Sequence, residues 1–318
     1  MFDNIFEQIK KYDSIVIFGH INPDGDCYGS EIALKQTLKL AFPSKKIYAV
    51  GSGYHRFHKM LGATDEIDVE VIKDSLAILV DANDFGRSED QRISEAKAWI
   101  KIDHHVDTGG FTQGEFVVEE KANSCCQIIG DMIKELNLPI DYVVANALLL
   151  GILTDTGRFQ YVNDFPRAFA QASWLCEKGA NPKQLNSILN ITDEASLAFK
   201  GYVFSNYCKT KDGTIYLIID KETLHKYNLS ASKAGSMVNL ISNLNGYPIW
   251  AFFCENEDGT CHGEFRSNGP AVQPIALKYG GGGHELAAGA TLPSFDYKSM
   301  MAMISDFDEA IVKFNKEN

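Results

Sequence analysis

Ser14-Ile15-Val16-Ile17-Phe18-Gly19-His20-Ile21-Asn22-Pro23-Asp24-Gly25-Asp26 is the stretch on which the reading of this chain turns. Its apolar opening, bounded by polar residues, predicts a buried strand, and residues 25–40 continue at helical spacing through Ile32, Ala33, Thr37 and Leu40. A strand thus feeds a helix across a turn that carries an imidazole and two carboxylates. Residues 46–50, 76–80 and 99–102 repeat the buried-strand pattern, with helical or loop material between them. Strands alternating with helices predict an α/β fold built on a doubly wound parallel sheet.

Further along, residues 124–136 and 142–153 are apolar at helical period and are separated by Pro139. Residues 167–178 form another expected helix, with Gly179 at its C′ position. Residues 182–205 read as a helical connector with charges on one side, interrupted at Ile191-Thr192-Asp193, and a hinge is expected between Asn190 and Gly201. Beyond it the texture changes to strands at 214–219 and 248–254, a helix at 230–243 and a hairpin turn at Asp258-Gly259. A chain of 318 residues exceeds what one hydrophobic core usually serves, so two domains are expected, 1–190 and 191–318.

The net charge of -12 argues against a protein that grips long nucleic acid, because such binding depends on many Lys and Arg contacts to phosphates. An anionic substrate would need local positive charge, which bound metals supply. No apolar run reaches the length of a membrane span, and residues 1–11 lack the layout of a signal peptide. The cysteines number seven, and Cys125 and Cys126 are adjacent, so no disulfide framework can be drawn. The expected location is the reducing cytoplasm, away from membranes.

Ligands of open parallel sheets sit beyond the carboxyl ends of the strands. There the first expected strand runs into His20, Asp24 and Asp26, the third ends at Asp81, and the fourth ends at Asp103-His104-His105. Asp155 adds a carboxylate at the end of a long apolar helix. A single acid at a strand end is ordinarily a cap or a solvated charge. Several at one sheet edge repel one another unless cations neutralise them, and imidazoles mixed with carboxylates suit Mn²⁺ or a similar first-row metal.

These residues resemble the DHH phosphoesterase family with a C-terminal DHHA1 domain. GHINPDGD (19–26), VDAND (80–84), DHH (103–105) and LTDTGRF (153–159) are similar to its four motifs, and GGGGHELAAG (280–289) to its glycine-rich signature. The match runs in order through essentially the whole chain and is most similar to the nanoRNase type. It implies a parallel-sheet DHH domain with flanking helices at 1–190, metal-binding and catalytic. It further implies a helical linker and a smaller α/β DHHA1 domain within 191–318, for substrate recognition.

Residue by residue, the resemblance implies His20, Asp24 and Asp81 on one divalent cation, and Asp26, Asp81, His104 and Asp155 on a second. The ion is expected to be Mn²⁺, ahead of Mg²⁺ or Co²⁺. Asp81 would bridge, in keeping with the shared carboxylate that paired cations need to activate water for in-line attack on phosphorus. Gly25 is expected to let both Asp24 and Asp26 point at the site. His105 is a candidate phosphate contact or proton donor, and Asp103 is expected to orient an imidazole. Arg266 and Ser267 are assigned to substrate, with Asn268 where the family often has a basic residue. Gly281, Gly282, Gly283 and His284 are expected to open into a closely packed helix whose free N–H groups cradle an anion. Arg158 is a further substrate candidate, against a surface ion pair.

The activity this implies is hydrolysis of oligoribonucleotides of about two to five residues, with removal of the 3′-phosphate of pAp. Linear dinucleotides, less so cyclic ones, come next, and exopolyphosphatase or pyrophosphatase after them. A catalytically silent nucleotide-binding module ranks last, because every expected ligand type is present. A cleft between the domains would limit substrate length, and a homodimer is compatible with the family. His55, His58, His225 and His262 lack convincing ligand patterns and are read as structural or surface residues, Thr154 and Thr156 as supports for Asp155, and Cys27 as packing.

Overall fold

From Leu76 to Val80 every residue is buried, as a strand covered on both faces requires. In the computed structural model, which describes residues 2–107 and 109–317, this run is the centre of a five-stranded sheet. The strands are β1 (Ser14–Phe18), β2 (Lys46–Val50), β3 (Leu76–Val80), β4 (Ala98–Asp103) and β5 (Glu115–Val118). Their order is β2-β1-β3-β4-β5 and every pairing is parallel. β5 is absent from the sequence reading. It is short, exposes Phe116, and owes its strand form to the β4 edge.

The helices of this unit are α1 (Asp3–Lys11), α2 (Gly25–Ala41), α3 (His58–Leu61), α4 (Val69–Lys73), α5 (Cys125–Glu135), α6 (Tyr142–Asp155), α7 (Phe165–Glu177) and α8 (Pro182–Leu189). Strand residues alternate between two cores. Ile15, Ile17, Ile78 and Val80 join α2, α5 and α6, while Val16, Phe18, Ala77 and Leu79 pack with Ile72 and Ile93 on the other face. The strand order reverses at β1, so the crevice beyond β1 and β3 is the topological switch point, the usual ligand position in such sheets.

α2 and α6 cross very closely, and glycines make that possible. A Cβ on Gly29 would lie 2.4 Å from the Ala147 carbonyl oxygen, and one on Gly151 2.3 Å from Cys126 Sγ and 2.4 Å from Asp26 Oδ1. Gly25 serves the same purpose, since its Cβ would meet Thr154 at 2.5 Å. Its missing side chain leaves room for α6 beside the turn that carries Asp24 and Asp26.

The contacts divide the chain into Met1–Ile191 and Thr192–Asn318. α8 stops before Asn190, and α9 (Glu194–Asn206) starts under an N-cap in which Asp193 Oδ1 accepts the Ser196 N–H at 2.7 Å. The second unit adds β6 (Cys208–Lys209), β7 (Thr214–Ile219), α10 (Lys221–Lys226), α11 (Ala231–Gly235), β8 (Ile249–Glu255), β9 (Cys261–Ser267), α12 (Gln273–Lys278), β10 (Gly282–His284), β11 (Ala287–Leu292) and α13 (Tyr297–Glu317). Its sheet runs β10-β11-β9-β8-β7-β6, antiparallel except for β7 with β8. α12 and α13 cover one face, packing Ile275, Met303 and Phe307 with Phe265 of β9, while α9 and α11 cover the β7–β8 part of the other.

Two expectations are corrected here. The helix read at 230–243 ends at Gly235, where a Cβ would meet the His262 ring at 2.9 Å, and resumes only as a 3₁₀ turn at Val238–Ile241. Residues 280–290 do not open into a helix. They form the β10–β11 hairpin, because β11 pairs along β9 from Ala287↔Arg266 to Leu292↔Cys261. Gly281 and Gly283 permit the close backbone approach, a Cβ on Gly281 lying 2.1 Å from the Gly289 carbonyl oxygen. Among the described residues no helix is long and apolar enough to cross a membrane.

Candidate metal centre

Each strand end delivers its side chains through local backbone chemistry. After β1, Asp24 caps α2, its Oδ1 accepting the N–H groups of Asp26 at 2.9 Å and Cys27 at 3.1 Å. Asp26, fully buried, accepts the Cys125 N–H at 2.6 Å and the Cys126 N–H at 2.9 Å, so the amino end of α5 holds its carboxylate. After β3, Asp81 takes a left-handed conformation with φ 56°, its N–H bonded to the Ile102 carbonyl at 3.0 Å. At the end of β4, Asp103 Oδ1 accepts both the His104 N–H and the His105 N–H and meets His105 Nδ1 at 2.8 Å.

Asp81 is the hub. Its Oδ2 stands 3.5 Å from His20 Nε2, and its Oδ1 stands 3.4 Å from His104 Nε2 and 3.7 Å from His105 Nδ1. His104 Nε2 also lies 3.1 Å from Asp155 Oδ2 and 3.8 Å from Asp26 Oδ2, while His20 Nε2 lies 3.9 Å from Asp24 Oδ1. Around these groups is a cavity of about 390 Å³ lined by His20, Asp24, Asp81, Ala82, Asn83, Arg87, His104, His105 and Asp155.

The donor set fits divalent cations. Asp81 Oδ1 is buried and has no hydrogen bond of usable geometry among the described residues, a cost that a cation removes. The protonation equilibria point the same way. Burial opposes charge on His20, yet the carboxylates of Asp24 and Asp81 outweigh it and push its pKa up to about 11. His104 is likewise pushed up to about 11, against burial, by Asp155 and Asp81. Asp26 is raised by burial and then by the charges of Asp81 and Asp155, whereas in Asp81 the two imidazoles overcome burial and depress the pKa. The cluster draws positive charge from whatever source is present.

Two nearby groups are poor ligands on this geometry. Cys27 Sγ lies within 4.8 Å of ligand atoms of His20 and Asp81, close enough to share an ion with them, but it accepts the His20 N–H at 3.2 Å. Burial, then Glu31, hold it as a thiol. His105 Nδ1 is engaged by Asp103, and that hydrogen bond, working against burial, raises its pKa.

Arg158 is exposed, and its guanidinium donates to Asn190 Oδ1 at 2.7 Å rather than forming an ion pair. In the second unit Arg266 and Ser267 lie on β9, Gly282, Gly283 and His284 on β10, and Gly281 just before it. His284↔Ala287 and Ala287↔Arg266 are register partners, so His284 and Arg266 share one sheet face with a small residue between them. Arg266 Nη1 donates to Glu264 Oε2 at 2.8 Å. Ser267 Oγ accepts the Gly269 N–H at 3.0 Å, and the Asn268 N–H donates to the Pro248 carbonyl at 3.0 Å.

The remaining histidines stand away from such clusters. His55 and His58 pack ring to ring at 4.7 Å, His225 meets Glu257 on the surface, and His262 faces Glu264 at 3.4 Å. Thr154 and Thr156 bond to carbonyls of α6. The sequence reading missed Arg87, Asn83 and the backbone amides of Cys125 and Cys126. The only available signal for Arg87 was its position six residues beyond Asp81.

A parallel sheet whose carboxyl ends gather carboxylates and imidazoles around one shared aspartate defines a metal-dependent phosphoesterase of the DHH type. The chain belongs to that family: the DHH family N-terminal domain matches residues 14–152 and the DHHA1 domain matches residues 212–313. It is 37% identical over 308 residues to the bifunctional oligoribonuclease and PAP phosphatase NrnA of Mycoplasma genitalium, covering 96% of each chain. To the Bacillus subtilis protein of the same name it is 32% identical over 296 residues, 92% of this chain and 93% of that one. A solved structure of an exopolyphosphatase-related protein from Bacteroides fragilis shares the fold at a TM-score of 0.83 and 22% identity, covering 98% of this chain and 95% of that chain.

Proposed function

We propose that this protein hydrolyses short oligoribonucleotides and removes the 3′-phosphate of pAp, with Mn²⁺ as its preferred ion. The observation that carries the reading is the convergence of carboxylates and imidazoles from four chain segments on Asp81, in a chain similar over nearly its whole length to proteins named for those two activities. His20, Asp24 and Asp81 would hold one cation, and Asp26, Asp81, His104 and Asp155 the other. Such a pair supplies an acidified water and positive charge against the phosphoryl oxygens.

The chain's own residues do the rest. Asp103 fixes the ring of His105 through Nδ1 and keeps it protonated to higher pH, so His105 is suited to give a proton to the departing oxygen. Arg266 and His284, sharing one face of the second sheet, are assigned to the substrate's terminal phosphate. The cysteines are all free, in keeping with a reducing cytoplasm.

The test is turnover by purified protein with Mn²⁺ or Mg²⁺ on pAp, pApA, an RNA length series and pyrophosphate. Release of AMP from pApA and pAp, falling away with longer RNA, is expected. Pyrophosphate as the best substrate would overturn the nucleotide assignment.

A further inference from the structure

Arg87 lines the same cavity as His20, Asp81 and His104, yet no hydrogen bond or ion pair engages its guanidinium among the described residues. The guanidinium groups of Arg92, Arg158, Arg167 and Arg266 are each held by an oxygen of this chain. Lys101, near the end of β4, is buried and bonded to Asp107 and the Asn83 carbonyl. Arg87 thus stands apart as an uncommitted cation beside the site.

Its backbone, by contrast, is fixed. The Arg87 carbonyl accepts the Ile21 N–H at 2.9 Å, its own N–H donates to the Asp84 carbonyl at 3.2 Å, and Ser88 forms an antiparallel bridge with His20. The segment carrying Arg87 is therefore zipped to the segment carrying His20, with the side chain left exposed.

We infer that Arg87 binds two non-bridging oxygens of the substrate's scissile phosphoryl group, an inference that rests on the phosphoesterase reading above. Asp24, Asp26, Asp81 and Asp155, when ionised, carry one negative formal charge each, which two divalent cations would balance. A phosphodiester or phosphomonoester then brings negative charge that this balance leaves uncompensated, and the charge shifts on those oxygens during displacement. A guanidinium matches them with two parallel N–H donors, as an ammonium cannot. The competing reading is a solvated surface arginine.

The test compares wild type with Arg87→Gln on four measurements: Mn²⁺ affinity, thermal unfolding, kcat/KM on pApA, and the affinity of the Mn²⁺-loaded protein for inorganic phosphate. The inference requires unchanged Mn²⁺ binding and unfolding, kcat/KM lower by about 100-fold, and phosphate affinity weaker by about tenfold or more. Unaltered phosphate affinity, or an activity loss that tracks lost Mn²⁺, overturns it. Should wild type leave pApA uncut, the function proposed above fails, while the phosphate comparison still decides the role of Arg87.

Discussion

At Asp81 one side chain answers to three imidazoles. Its left-handed backbone is sparsely populated for residues other than glycine, though aspartate tolerates it better than most. The hydrogen bond from its N–H to Ile102 ties that conformation to β4, so the carboxylate turns back over the sheet edge instead of continuing the strand. Strain of this kind persists where surrounding structure over-determines it, and here it brings the shared carboxylate between His20 and His104. Asp81→Ala should lower turnover on every substrate by more than about 100-fold, beyond what the loss of an outer partner commonly costs. It should also remove the thermal stabilisation conferred by Mn²⁺. Calorimetric Mn²⁺ titration with parallel assays decides the matter, and near-normal activity at full metal occupancy would sink the bridging role.

The α2–α6 crossing sets how far Asp26 stands from Asp155, because each lies at a helix end that the crossing positions. Gly151 has no room for a methyl group, with Cys126 Sγ and Asp26 Oδ1 already occupying its place. In an exposed helix Gly→Ala would stabilise by about 1 kcal/mol. Here overpacking, at about 1–3 kcal/mol, outweighs that gain. Gly151→Ala is therefore expected to lower the unfolding temperature and weaken Mn²⁺ binding together, since the methyl group displaces Asp26. Thermal melts with and without Mn²⁺ read both effects, and a variant stabilised with unchanged metal affinity would refute the argument.

Taken as a whole, the chain has separate hydrophobic cores on either side of the break after Ile191. Every group assigned to the cations lies before that break, whereas Arg266 and His284 lie after it. A fragment of residues 1–191 should then fold, bind Mn²⁺ with near-native affinity, and hydrolyse pApA poorly. Circular dichroism, Mn²⁺ titration and steady-state kinetics on the fragment test this. A folded fragment with undiminished kcat/KM would leave the second unit without a recognition role.

Much of this was legible along the chain because the ligand-type residues fall in short clusters just after apolar runs, at His20 to Asp26, Asp81, Asp103 to His105, and Asp155. Strand and helix periods are local properties, so β1, β3, α2 and α6 could be read directly. β5 and the β10–β11 hairpin could not, since each depends on a neighbour distant in sequence, the β4 edge for one and the β9 edge for the other. Arg87 belongs with these. Nothing periodic marks it, and it reaches the cavity because its segment pairs with Ile21 and His20, nearly seventy positions earlier. Local sequence can specify which groups have the chemistry for a site. Which of them share a cavity, and which cation there remains unpaired, follows from long-range hydrogen bonding and close packing that no short stretch encodes.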